Sequence, residues 1–208
     1  MSRDRRITLR LNIPLVLSIV CFTISACADV EPTVDPSMNM RAEDEATANE
    51  LRASAKGGDA SAQNQLGLLY YEGKGVPQNY QQAKQWFEEG AKQGHAGAQT
   101  NLGTMYLHGE GAPQSDRMAL FWFNQAAEQK DALAFAKLGL MYVQGRGALQ
   151  DFVQAHMWYN LSAAHGETRS AEARDALAQR MTPAQIAEAQ RLAREWKPTK
   201  NKLSQTVP

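Results

Sequence analysis

Catalysis needs a nucleophile or a bound metal together with a positioned acid or base, so the side chains able to supply these are the place to begin. They are few: His95, His108, His156 and His165, the cysteines Cys21 and Cys27, and a glycine-rich run ending in Lys74. No Ser-x-x-Lys, Gly-x-Ser-x-Gly or His-Glu-x-x-His occurs, so the spacings that pair a nucleophile with its base, or two histidines with zinc, are missing. The stretch from Gly67 to Lys74 is one residue too long for a phosphate-cradling loop, and Gly75 stands where Ser or Thr would meet magnesium. The histidines are scattered. The sequence therefore assigns no catalytic residue, no metal ligand and no cofactor, and a non-enzymatic protein is expected.

Cys27 is the one side chain with a specific chemistry in prospect. Arg3, Arg5, Arg6 and Arg10 precede an apolar run from Leu11 to Ile24, the form of an export signal. The run is about 14 residues, short of the roughly 20 that span a bilayer, and no later stretch is apolar enough to try. Ile24-Ser25-Ala26-Cys27 resembles a bacterial lipobox, which implies removal of residues 1–26 and acylation of Cys27. Ala26-Cys27-Ala28 also has the small-x-small form of ordinary cleavage after Ala28. Cys21 lies inside the signal, so lipidation would consume what is otherwise a lone thiol in an oxidising compartment. The basic segment fits the general secretory or the twin-arginine route. The expected location is the bacterial cell envelope, on the outer membrane facing the periplasm, since Ala28 rather than Asp follows the cysteine.

Charge narrows the partners. Removing residues 1–26 takes four Arg and one Asp from 22 basic and 22 acidic side chains, leaving 18 and 21, a net charge of about −3. A chain without a basic stripe is a poor match for a phosphate backbone, so nucleic acid is not an expected partner.

The elements follow from a repeat. Leu66-Gly67-x-x-Tyr70, Leu102-Gly103-x-x-Tyr106 and Leu138-Gly139-x-x-Tyr142 recur every 36 residues without insertion or deletion. The same register carries the glycine pairs Gly73/Gly75, Gly109/Gly111 and Gly145/Gly147, and then Trp86, Trp122 and Trp158. In each unit a first helix buries one face, as in Ala62, Leu66 and Tyr70. The internal glycine, worth about 1 kcal/mol against helix relative to Ala, points to a close helix crossing. The glycine pair ends that helix, and Asn79, Ser115 and Asp151, all good N-cap types, begin a second one with an Ala-Trp-aromatic-Ala stripe. Gly94 and Gly166 close the second helix, but Lys130 stands in the middle unit, a departure expected to loosen one inter-repeat turn. His108 shares its position with Glu72 and Gln144, which marks it as variable surface.

This pattern resembles the Sel-1-like repeat family, a relative of the tetratricopeptide repeat. The resemblance implies an all-α, right-handed superhelical solenoid of three helix-turn-helix repeats, residues 59–94, 95–130 and 131–166. Before them come the signal (1–26), a tether (27–40) with two prolines, and an N-terminal capping helix (41–58). After them come C-terminal capping helices (167–196), the last started by Thr182-Pro183-Ala184-Gln185, and a tail (197–208). Some secreted members of the family carry cysteine pairs and are linked to β-lactam chemistry; those cysteines are missing here, and the activity is not carried over.

Stacked hairpins generate a concave groove lined by first helices. By resemblance to tetratricopeptide repeats its positions are Asn64, Leu68 and Tyr71, then Thr100, Thr104 and Leu107, then Ala136, Leu140 and Val143. They become wholly apolar in the third unit, which suits a protein partner; alternatively the C-terminal helix folds back and buries Leu140 and Val143. The expected function is an envelope-anchored scaffold or adaptor that holds a protein partner in this groove, with no small-molecule substrate. A cell-wall or β-lactam-acting enzyme, or a secreted host-interaction factor, is the alternative.

Overall fold

The computed structural model describes the backbone of residues 36–199, with side chains from residue 44 onward. The segment expected to be an export signal, Cys27 and the end of the chain lie outside the described residues. Nine helices and no strands are present among them: α1 (Pro36–Lys56), α2 (Ala60–Glu72), α3 (Tyr80–Lys92), α4 (Ala96–His108), α5 (Asp116–Ala127), α6 (Ala132–Gln144), α7 (Phe152–Ala164), α8 (Thr168–Ala178) and α9 (Pro183–Glu195). The hairpins α2/α3, α4/α5 and α6/α7 are the three repeats, and each packs on the next. The helix α1 begins at Pro36, so the last five residues of the segment expected as a tether are helical. None of the described helices is long and apolar enough to cross a membrane.

The hairpin is set by small residues in fixed places. An added Cβ at Gly67 would lie 2.6 Å from the Phe87 ring, at Gly103 2.7 Å from Phe123, and at Gly139 2.8 Å from Tyr159. Each internal glycine thus lets the second helix lay an aromatic ring directly on the first helix's backbone. That packing offsets the propensity loss the sequence shows. Gly73, Gly109 and Gly145 follow at φ 74°, 76° and 65°, left-handed C-caps whose N–H groups bond to the carbonyls of Leu69, Met105 and Met141. The second glycine of each pair faces backward. Cβ atoms at Gly75 and Gly111 would strike the carbonyls of Asp44 in α1 and of Tyr80 at the start of α3, each in the helix that precedes its own hairpin. Asp44 and Tyr80 are 36 residues apart, so α1 occupies the place of a second-type helix.

Asn79, Ser115 and Asp151 cap α3, α5 and α7 through their side chains. A second set of caps is equally regular. Asp59 and Asp131 accept from the N–H groups of Ala62 and Ala134 at 2.7 Å, and His95 Nδ1 accepts from Ala98 at 3.1 Å.

The turn at Lys130 is not loosened. Lys130 takes φ 64°, the only non-glycine in the left-handed region among the described residues, and keeps the turn of Gly58, Gly94 and Gly166. Its N–H bonds to Ala127 O at 2.8 Å and that of Asp131 to Ala126 O at 3.2 Å, matching the bonds after Gly94. The backbone pattern of the array outweighs the Cβ penalty, about 1–2 kcal/mol.

Two large apolar clusters run along the array and meet at the middle repeat: one is built on Leu66, Phe87, Leu102 and Met105, the other on Phe123, Phe135, Leu138 and Met141. The C-terminal helices complete the second cluster. The helix α8 takes the position of a fourth first-type helix, with Glu167 as N-cap and Leu177 buried where Met105 and Met141 stand in the repeats. The helix α9 starts with the expected capping box of Thr182 and Gln185 and packs on α7, placing Trp196 against Phe135 and Trp158. It does not bury Leu140; Val143 is packed instead in a small cluster that holds Ala173 of α8 and Met181.

Candidate functional site

The candidate face is formed by α2, α4 and α6 lying side by side in the three repeats. The nine positions assigned to it part company. Leu68, Thr104 and Leu140, one per unit at the same repeat position, are all partly exposed. Asn64, Ala136, Tyr71 and Val143 are partly exposed as well. Thr100 and Leu107 are buried, at 2% and 3% exposure, and so leave the accessible surface: Leu107 belongs to the core, and the Thr100 hydroxyl donates to Asp131 at 3.1 Å.

Polar side chains stitch neighbouring units together along this face. Asn101 donates from its amide to Asn64 Oδ1 at 2.9 Å, joining α4 to α2. The Tyr71 hydroxyl donates to Glu110 Oε2 at 2.8 Å, so the hairpin loop of the second unit is tied to the first helix of the unit before. Burial, and then the Glu110 carboxylate beside it, push the Tyr71 phenol up to about 12, which keeps it a donor at physiological pH. Arg146, at the Glu110 position of the third unit, makes the next tie through Leu107 O at 2.8 Å and the Asp116 carboxylate. Asn64 and Tyr71 therefore serve the fold as well as the surface.

At the end of the array α6 and α8 leave a pocket of about 250 Å³. Ala136, Leu140, Tyr159 and Ala173 line it, with Leu133, Lys137 and Arg169 at its walls. Leu133 is 44% exposed, one of two large hydrophobic residues this open among the described residues; the other, Leu149, lies in the loop before α7. Leu133, Lys137 and Arg169 were not among the sequence-derived positions. Leu133 and Lys137 occupy helix positions filled by Gly97 and Asn101 in the unit before, and Arg169 lies beyond the last repeat, so repeat-based transfer had no reason to select them. No group of three or more His, Cys, Asp or Glu able to hold a metal occurs among the described residues.

The arrangement is that of a helical-repeat solenoid with one face of partly open apolar and hydroxyl side chains. The family model described as Sel1 repeat matches residues 60–95, 96–131 and 132–167, more than half of the chain, and the protein belongs to the Sel1 repeat family. Two solved structures are similar. One is c5321, a protective antigen present in uropathogenic Escherichia coli strains and displaying an SLR fold. It has a TM-score of 0.68 and 32% identity, over 71% of this chain and 32% of that one. The other is a Sel1 repeat protein from Oxalobacter formigenes, with a TM-score of 0.53 and 35% identity, over 61% of this chain and 57% of that one. This chain thus matches about a third of the first protein's length and somewhat over half of the second's. No curated protein matches it. Repeats of this family generally act as protein-interaction scaffolds, and the fold is typically non-enzymatic.

Proposed function

We propose that the protein is an envelope-anchored scaffold that holds a protein partner along the face of α2, α4 and α6. The observation that carries this is the row Leu68, Thr104 and Leu140, which presents one partly exposed side chain from each unit at the same repeat position. A row with the period of the array suits an extended partner that crosses successive units. The anchor rests on the lipobox-like Ile24-Ser25-Ala26-Cys27 and the basic and apolar segments before it. Acylated Cys27 would hold the solenoid at the membrane, on the periplasmic side of the outer membrane.

The test is a crosslinking pull-down from envelope fractions with the full chain and its Leu68→Asp/Thr104→Arg variant, the fold checked by circular dichroism. A protein captured by the first and lost by the second supports the scaffold; equal capture, or none by either, overturns it. Replacing Cys27 with Ser should release the protein from membranes, and continued retention would refute the anchor.

The likeness to a protective antigen favours a second reading, a host-interaction factor displayed or released at the cell surface. Digestion of the protein by protease added to intact cells would move the assignment to it.

A further inference from the structure

We infer that the α6/α8 pocket receives an apolar side chain from an acidic segment of the partner, and that Lys137 and Arg169 select for the acidic flanks. The inference rests on the scaffold reading and gives its partner a chemistry. It starts from a pair of positions that recurs with the repeat and faces across each first-helix crevice: Asn64 with Asn101, Thr100 with Lys137, and Ala136 with Ala173.

Between α2 and α4 the two amides meet at 2.9 Å and bridge the crevice. Between α4 and α6, Thr100 is buried and bonded to Asp131. Between α6 and α8 both members are alanines, too short to bridge anything, and the space they leave is the pocket. Its volume of about 250 Å³ is below the roughly 300–1,000 Å³ of small-molecule and cofactor sites, and suits a single side chain. Its floor of Ala136, Leu140 and Ala173 offers an apolar group a dry contact, and Leu133 extends that contact outward.

Charge sets the rest. Lys84, Lys92, Arg146, Arg174 and Arg191 have carboxylate partners, whereas Lys56, Arg117, Lys130 and Arg194 have none among the described residues, so Lys137 and Arg169 stand apart through the pocket they share. Lys137 and Arg169 are in no ion pair or side-chain hydrogen bond among the described residues, and they stand on opposite walls of the pocket. The lining also holds one carboxylate, Glu167, which caps α8 by accepting from the Arg169 N–H at 3.2 Å, so cations outnumber carboxylates there two to one. An apolar hole between two unpaired cations is complementary to an aliphatic side chain between acidic ones. Two cations on a chain with as many acidic as basic side chains, 22 of each, are too few for nucleic acid.

The test is fluorescence anisotropy on the full lipidated chain in detergent, with three short labelled peptides: a leucine flanked by glutamates, by lysines, or by serines. The glutamate peptide should bind at least about tenfold tighter than the lysine peptide. Lys137→Glu/Arg169→Glu should reverse that order, and Ala136→Phe, which fills the pocket, should weaken the glutamate peptide by a similar factor. Melting curves of the charge-reversed variant should match the parent, since both side chains lie at the surface. No binding of the glutamate peptide, equal binding of all three, or indifference to charge reversal would each overturn the inference. The scaffold reading fails separately, through the pull-down, and a partner captured there by a protein that ignores all three peptides would leave it standing.

Discussion

Repeats 1 and 2 are tied to the helix before them through paired glutamines, whereas repeat 3 places rings at the same positions. Gln63 and Gln99 are buried, and each donates to a carbonyl of the preceding helix, Ala55 at 3.1 Å and Ala91 at 3.2 Å. Each then accepts from the glutamine at the end of its own hairpin, Gln93 at 2.7 Å and Gln129 at 2.8 Å. In repeat 3 these positions hold Phe135 and His165, ring to ring at 5.3 Å. Phe135 also stacks on Trp158 at 5.7 Å and meets the edge of Trp196 at 5.2 Å. The polar tie moves elsewhere: the Ser162 hydroxyl donates to Ala132 O at 2.7 Å and lies 2.8 Å from that of Ser170. A glutamine satisfied at both ends can be passed from unit to unit, because each neighbour supplies the same carbonyl and amide. A buried ring needs a cover, and α9 supplies it once. The difference marks where the array stops.

Breaking the ring side should have the largest effect. Phe135→Ala removes a fully buried ring and should destabilise by about 3–5 kcal/mol, read as a lower urea midpoint with the circular dichroism of the native state retained. Breaking the glutamine side should cost less: Gln99→Ala removes two hydrogen bonds worth about 0.5–1.5 kcal/mol each, so a loss of about 1–3 kcal/mol is expected in the same titration. Equal losses from the two would erase the contrast.

Acid should distinguish repeat 3 as well. His156, buried on α7, has its pKa lowered by desolvation and then by the positive charge of Arg174, with Asp175 and a backbone hydrogen bond opposing. A histidine whose pKa is depressed on folding binds its proton more readily when unfolded. Stability should therefore be full above the ordinary value of about 6.5 and fall as pH drops below it, at no more than about 1.4 kcal/mol per pH unit. His156→Gln should flatten that slope in denaturant titrations between pH 7 and 5; an unchanged slope assigns the acid sensitivity to other groups. The smallest effect sharpens the junction between the two regimes. Lys130→Gly should raise stability by about 1 kcal/mol, seen as a higher melting temperature, because it relieves the left-handed strain at the turn into repeat 3.

The helices, their order and their caps are legible in the chain because a repeat writes each rule three times. Leu-Gly-x-x-Tyr, the glycine pair and Asn79, Ser115 and Asp151 each recur at one spacing, so a local signal too weak to trust once becomes reliable. The caps Asp59, His95 and Asp131 carry the same recurrence and could have been read; His95, an uncommon cap, hides the pattern. The candidate face is less legible. Transfer from tetratricopeptide repeats puts Thr100 and Leu107 on the surface, whereas the neighbouring unit buries both. Leu133, Lys137 and Arg169 escape notice because they matter only where the repeat is broken.

By itself, then, the sequence determined the period, the hairpin and the close helix crossing at its internal glycine, all of which act within about 36 residues and depend on local geometry and apolar spacing. Only the tertiary structure decided which side chains on the first helices stay open, that Lys130 would bend like a glycine, and that α8 and α9 would divide the work of closure. Those outcomes depend on what the adjacent unit places opposite each residue. A single helix's pattern holds no record of the helix that will cover it.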